Sequence, residues 1–297
     1  MTIFHFVAFL APCFYALSIL IESILSLDIF KKPATMSFFV SLTNSLFVPL
    51  LLFFGMPSLP SLSNFGIYVI LAIFEVVYLY PYYIALKKTD TSIVSALFTT
   101  GKVFIPILSY ILLNDILTPI QYLGFFTVIF ASIFLTIKKR AHFHINTAFY
   151  LMLIASFLWS LHAILTKYVL LSDQNWINTL IYPNLISGTL IFLCLAFKKL
   201  RKDIRAHAAA YFSKFKIFAL NEFISFWGLV SSVYALSHLS PVVSSAIEAT
   251  SPLFLLFFAS VFSLFCRHRF QEYHVSTLKK IVCFILIIIG VTLVASK

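Results

Sequence analysis

The run Thr91–Leu113, TSIVSALFTTGKVFIPILSYILL, holds 23 residues and a single ionised side chain, that of Lys102. Its length and apolar character fit a helix crossing roughly 30 Å of hydrocarbon, which takes about 20 residues. An ammonium placed there costs at least about 2.5 kcal/mol on insertion scales, so it must meet a partner or a water-filled cavity.

The rest of the chain repeats the pattern. Of 297 residues, 61% are apolar, 10% are charged and 18% are aromatic, and the mean hydropathy is +1.02. Soluble domains average about a quarter charged, so this composition describes a multi-pass membrane protein. Ten segments are predicted to span: 3–27, 35–54, 66–86, 91–113, 118–137, 147–170, 176–197, 217–237, 241–265 and 276–295. The first is read as a span because it lacks a basic leader and exceeds a signal peptide's apolar core. Pro12, Pro49, Pro81, Pro106 and Pro183 fall inside spans, where they kink helices. The cysteines Cys13, Cys194, Cys266 and Cys283 have neither disulfide nor metal spacing.

Charge placement gives the expected topology. Of 21 Lys and Arg, 18 fall in connections 1-2, 3-4, 5-6, 7-8 and 9-10 or at the adjoining start of span 10. By the positive-inside rule those connections are cytoplasmic and both termini lie outside a cell (inner or plasma) membrane. The net charge of +11 is thus topological, and no nucleic-acid partner is expected. The basic segment KKLRKDIRAHAAAYFSKFK, 198–216, is predicted to form a helix on the inner leaflet in contact with anionic lipid.

ALKKTDTSIVSALFTTGK, Ala85–Lys102, lies over ALSHLSPVVSSAIEATSP, Ala235–Pro252, without a gap and with five identities. LTNSL and YPNLI place Asn44 and Asn184 at corresponding points of spans 2 and 7, and Tyr15 falls over Trp159 in spans 1 and 6. The predicted fold is all-α integral membrane, ten helices in two five-helix halves, 1–140 and 141–297. An odd span count inverts the second half, an arrangement that in transporters places the site between halves near the midplane.

These features resemble the drug/metabolite transporter superfamily, in particular its ten-helix group with two EamA-type repeats. The matching pieces are ALFTTGKVFIPILSYILLNDILTPIQYLGFFTVIFASIFL, with Asp115, Gly124 and Ala131, and the stretch from Ala246 offering Pro252, Glu272 and Gly290. The chain departs where Lys102 stands in place of an expected proline, where Asp115 replaces Glu, and where CRHRFQ precedes Glu272. The resemblance implies a secondary carrier, commonly an exporter of amino acids, other small metabolites or drugs, without a nucleotide-binding domain. It also implies that spans 5 and 10 are peripheral.

Counting 1.5 Å per residue, Lys102 lies roughly 16 Å from the inner start of span 4 and Glu248 roughly 10 Å from the outer start of span 9. Related by the proposed two-fold, they are predicted to pair, either lining a cavity or only holding spans 4 and 9 in register. Glu75 lies near the same level; Tyr78 and Tyr82 follow it on one helix face and are read as its phenol partners or as a stack for a cationic or aromatic ligand. Glu75 can also couple transport to protons. Glu22 and Lys167 come near span ends and are expected to snorkel. Glu222, beside Asn221, is read as an inner vestibule acid or, more simply, an interfacial one. Asn44 and Asn184 are read as bonding substrate or as making interhelical hydrogen bonds. His162 shares a face with Trp159; a proton or ligand role stands beside plain packing.

No glycine-rich phosphate loop, HExxH or nucleophile motif is present, so neither enzyme activity nor a cofactor is expected. The expected function is alternating-access transport of a small-molecule substrate, zwitterions such as amino acids first, with proton antiport if Glu75 or Glu248 releases a proton inward. A non-transporting scaffold or accessory subunit and a lipid translocator are the rivals. The oligomeric state is open, a monomer included.

Overall fold

The fold was obtained as a computed structural model, which describes residues 2–26, 30, 32–89, 91–136, 147–173, 175–263 and 277–295. Connections 5-6 and 9-10, with Cys266, CRHRFQ and Glu272, lie outside the described residues. Among those described, every regular element is helical.

The helices are α1 (Ile3–Ile24), α2 (Pro33–Ser45), α3 (Leu62–Val77), α4 (Leu79–Lys88), α5 (Thr91–Gly101), α6 (Phe104–Leu113) and α7 (Pro119–Thr136), then α8 (Thr147–Ser172), α9 (Asn178–Leu190), α10 (Lys198–Ser213), α11 (Phe215–His238), α12 (Pro241–Glu248), α13 (Ser251–Ser263) and α14 (Thr277–Val294). Joined across their breaks, they give eight helices long and apolar enough to cross a membrane: α1, α2 with its 3₁₀ tail, α3–α4, α5–α6, α8, α9 with its tail, α11 and α12–α13. The remaining two segments form α7, a shorter apolar helix, and α14, and these two pack on each other.

Proline explains where the long helices break. Its ring clashes with the carbonyl four residues back and it donates no N–H. Pro106 therefore disrupts the turn at Lys102, and Pro252 the turn at Glu248. At the first break Lys102 and Val103 donate to Thr99 and Thr100 at 3.1 Å, three residues back rather than four. At the second, Thr250 donates to Ile247 at 3.0 Å. Pro81 stands four residues after Val77, the last residue of α3, where α3 gives way to α4. The spans expected at 66–86, 91–113 and 241–265 are thus each built from two helices joined at a break. Pro12 and Pro183 remain inside helices, and Pro49 opens a 3₁₀ turn.

Small residues let backbones approach. A Cβ on Gly124 would meet the Gly290 carbonyl at 2.7 Å, fixing the α7–α14 crossing. A Cβ on Gly188 would clash with Ser45 Oγ where α9 crosses α2. In the centre α1 packs along α11, while α8 packs on α3–α4 and α5–α6.

The connections sort into two ends. One end carries Lys32, Lys87 and α10. There Lys32 Nζ lies 2.5 Å from Asp203 Oδ1, and this ammonium holds the Asp203 carboxyl below the usual carboxylate range. Helix α10 forms within the predicted basic segment, and its inner face docks on α2: Tyr211 hydroxyl meets Thr43 Oγ1 at 2.8 Å and its ring stacks on Phe39 at 4.3 Å. At the opposite end Asp173 accepts from Tyr68 Oη at 3.1 Å and Asn178 Nδ2 at 2.8 Å, and Asn178 also binds Ser58. That network ties connection 2-3 to α3 and connection 6-7. Lys167, expected to snorkel, instead donates to the Leu236 and Leu239 carbonyls at 2.8 and 2.9 Å. A cation there answers the orphan carbonyls at the end of α11.

Candidate functional site

A cavity of about 150 Å³ occupies the middle of the helix bundle. Its walls come from α1, α2, α3–α4 and α5 on one side of the chain and from α8, α9, α11, α12 and α13 on the other. Lys102, Glu248, Glu75, Tyr78, Tyr82, Asn44, Trp159 and Glu222 all line it, and so does Glu22.

Lys102 and Glu248 meet where the two proline-broken helices face each other. Lys102 Nζ lies 2.7 Å from Glu248 Oε2, with the side chains 9% and 13% exposed. The other carboxylate oxygen, Oε1, accepts from Ser232 Oγ. Both charges sit at helix ends four residues before a proline, Pro106 and Pro252. The gapless overlay of 85–102 on 235–252 places these two breaks four residues out of register.

The phenols do not go to Glu75. The α3–α4 break turns Tyr82 away, and it donates to Glu22 Oε2 at 2.8 Å while Tyr83 donates to Glu22 Oε1 at 2.9 Å. Glu75 Oε1 instead lies 3.4 Å from His162 Nε2; its Oε2 has no hydrogen-bond partner among the described residues. His162 is stacked on Trp159, ring centroids 4.9 Å apart and 3° between planes. Trp159 also touches Tyr78, at 4.8 Å.

Glu22 does not snorkel. Only 9% exposed, it is held inward by the two phenols, because α1 runs along α11 and that end of α1 is covered by α4. Glu222 is not interfacial either: it is 3% exposed and accepts from Asn221 Nδ2 at 2.7 Å, while Ser18 Oγ donates to Asn221 Oδ1 at 3.0 Å. Distance from a span end misplaced both, because α10 and α4 cover that end of the bundle.

Asn44 Nδ2 donates to Asn184 Oδ1 at 2.9 Å, and Asn184 Nδ2 to the Leu180 carbonyl at 2.8 Å. Between them the two amides satisfy each other across α2 and α9. Asn44 keeps a face on the cavity; Asn184 and His162 stand behind its wall. Trp227 packs edge-on against Phe54, Phe223 and Phe226. Ser245 lines a small adjoining pocket, and Thr250 Oγ1 bonds back to Ile247.

The cavity thus presents four carboxylates and one ammonium beside an aromatic wall. Among the described residues no group of three or more His, Cys, Asp or Glu is placed to hold a metal. The residues that sequence reading passed over are Glu22, Tyr83 and the Asp173 network. Their signal was weak, since each depends on partners more than 50 positions away.

Residues 2–137 match the EamA-like transporter family. No curated protein matches the chain. Among solved structures, 28 chains match; one, described as "Crystal structure of protein", has a TM-score of 0.69 at 12% identity over 98% of this chain and 95% of its own. That likeness is one of fold.

Proposed function

We propose that this chain, similar over residues 2–137 to EamA-like transporters, is a secondary transporter of the drug/metabolite type. It exports small metabolites, zwitterions such as amino acids first, by alternating access between two inverted five-helix halves, 1–140 and 141–297. The observation that carries this reading is the mid-bundle cavity walled by both halves, with an ammonium and a carboxylate at facing helix breaks. Irregular backbone is tolerated at membrane depth only where it is buried in protein or lines a cavity. Broken helices at a midplane site are what carriers of this build use to hold charged cargo.

Packing supports the two halves. Exchange the spans in order, first for sixth through fifth for tenth, and the main contacts map onto one another: α1 on α11 becomes α8 on α3–α4, α3 on α9 becomes α11 on α2, and α7 on α14 returns to itself. Tyr15 and Trp159, the overlaid aromatics, both line the cavity. Asn44 and Asn184, the overlaid amides, bond each other.

In this mechanism the Lys102–Glu248 pair opens for cargo: the substrate carboxylate takes Lys102 and its ammonium takes Glu248, so neither charge is left bare. The Asp173 network closes one end in the conformation described. Rocking of one half against the other breaks it and opens that end. With that basic end in the cytoplasm of a cell-membrane protein, the Asp173 end faces outward, and both termini with it. In liposomes loaded with an amino-acid panel, purified protein is expected to give counterflow of at least one member. Absence of flux for every member, with correctly folded protein, favours the scaffold reading.

The outer face of α10 carries exposed Lys198, Lys199, Arg201, Lys202 and Arg205, flanked by exposed Phe197 and Phe212. We propose that it rests on anionic headgroups, each basic residue contributing about 1 kcal/mol. Replacing these five by Gln is expected to lower retention of anionic lipid through purification, measured by mass spectrometry. Unchanged retention rejects the contact.

A further inference from the structure

We propose that Glu22 and Glu222 form a second functional centre of the cavity, a carboxyl pair that carries one transported proton, separate from the Lys102–Glu248 pair. The proposal rests on the transporter reading above and names the site of its coupling.

Three observations converge. First, both acids line the cavity and both are at least nine-tenths buried, at 9% and 3% exposure. Second, they share one neighbourhood: Asn221 donates to Glu222 Oε1, reaches Glu22 as well, and is itself fixed by Ser18. Third, the groups acting on them are all neutral or acidic. They are Tyr82 and Tyr83 on α4, Tyr78 at the α3–α4 junction, Tyr211 on α10, and Asn221 on α11. Glu75 on α3 lies nearer His162. Lys102 at the α5–α6 break, whose ammonium lines the cavity, is engaged by Glu248.

Two carboxylates confined together without a cation cannot both stay ionised at low dielectric, and a shared proton resolves the conflict. Local hydrogen bonding decides where it sits. Both oxygens of Glu22 accept from phenols, which favours its ionised form. Among the described residues Glu222 receives one donor, on Oε1, and none on Oε2, which is left to carry the proton. In a transport cycle one O–H bond forms at Glu222 Oε2 from a proton of the outer water. The same bond breaks to the inner water as substrate leaves outward. The first transfer breaks an O–H bond of an outer hydronium and the second forms one on an inner water, so no co-reactant besides water is needed. The titration belongs to the pair, with Glu222 as its proton-bearing member in this conformation.

Infrared spectroscopy of the full chain in lipid tests this directly. A carboxylic-acid C=O stretch is expected at neutral pH. It is lost in Glu222→Gln and kept in Glu75→Gln and Glu248→Gln. In liposomes, Glu222→Gln is expected to retain substrate exchange but to lose accumulation driven by a pH gradient; Glu222→Asp restores both coupling and band. Thermal melts of each variant separate unfolding from loss of coupling. A band unaffected by Glu222→Gln, or gradient-driven accumulation that survives it in folded protein, overturns the proposal. Flux without any protonated-acid band overturns it while leaving transport intact. A band that behaves as expected in a protein with no flux overturns the transport reading instead.

Discussion

Glu248→Gln is expected to destabilise the protein by about 3–5 kcal/mol, because it leaves the Lys102 ammonium buried without its counter-charge. Lys102→Met removes the opposite partner and is expected to cost a similar amount. The double change Lys102→Met/Glu248→Gln takes out both charges and is expected to recover most of that loss, since the desolvation penalty of each ion disappears with it. Thermal unfolding of the three variants closes a double-mutant cycle, and a large favourable coupling term is the expected result. Near-additive losses would mean that the 2.7 Å contact contributes little. Ser232 also donates to Glu248, so part of the single-variant cost at Glu248 is that hydroxyl losing its charged acceptor. Ser232→Ala measured in the same background isolates that part.

The second large effect is expected at the α7–α14 crossing. A side chain on Gly124 meets backbone on two fronts, the Gly290 carbonyl at 2.7 Å and the Val294 nitrogen at 2.8 Å, and the Leu293 Cβ at 2.7 Å. Backbone cannot rotate out of the way as a side chain can. Gly124→Val therefore pushes the helices apart, with an expected loss of about 1–3 kcal/mol in the melt. Gly66 supplies the control, since a Cβ there meets nothing within 4 Å. Gly66→Ala in α3 is expected to be neutral or slightly stabilising through backbone entropy. If both substitutions behave alike, close packing at Gly124 is not what holds α7 to α14.

Much of this was written in the sequence. A lysine in an apolar run demands a partner, and internal repetition pointed to the segment that holds Glu248. The break positions were legible too, had proline been read through its effect four residues back: Pro106 and Pro252 each stand four positions after a charge. What sequence could not supply was lateral position. Glu22 and Glu222 fall near span ends by residue count, where snorkelling is the economical expectation. Their burial comes from α10 and α4 folding over that end and from Asn221 meeting Ser18 across 203 residues of chain. Tyr82 was assigned to Glu75 because a continuous helix puts them on one face; the break at Tyr78 redirects it. Asn44 and Asn184 were recognised as counterparts, and their mutual bond follows from the close approach of α2 and α9 at Gly188.

The most direct measurement is counterflow in liposomes by the wild type and by Lys102→Met/Glu248→Gln, with folding of both verified by thermal melt. The predicted result is flux from the wild type and none from the folded double variant, because its cavity has lost both charges that engage the cargo. Flux from the double variant at the wild-type rate would contradict the transport role of the pair and leave it a device for holding two broken helices in register.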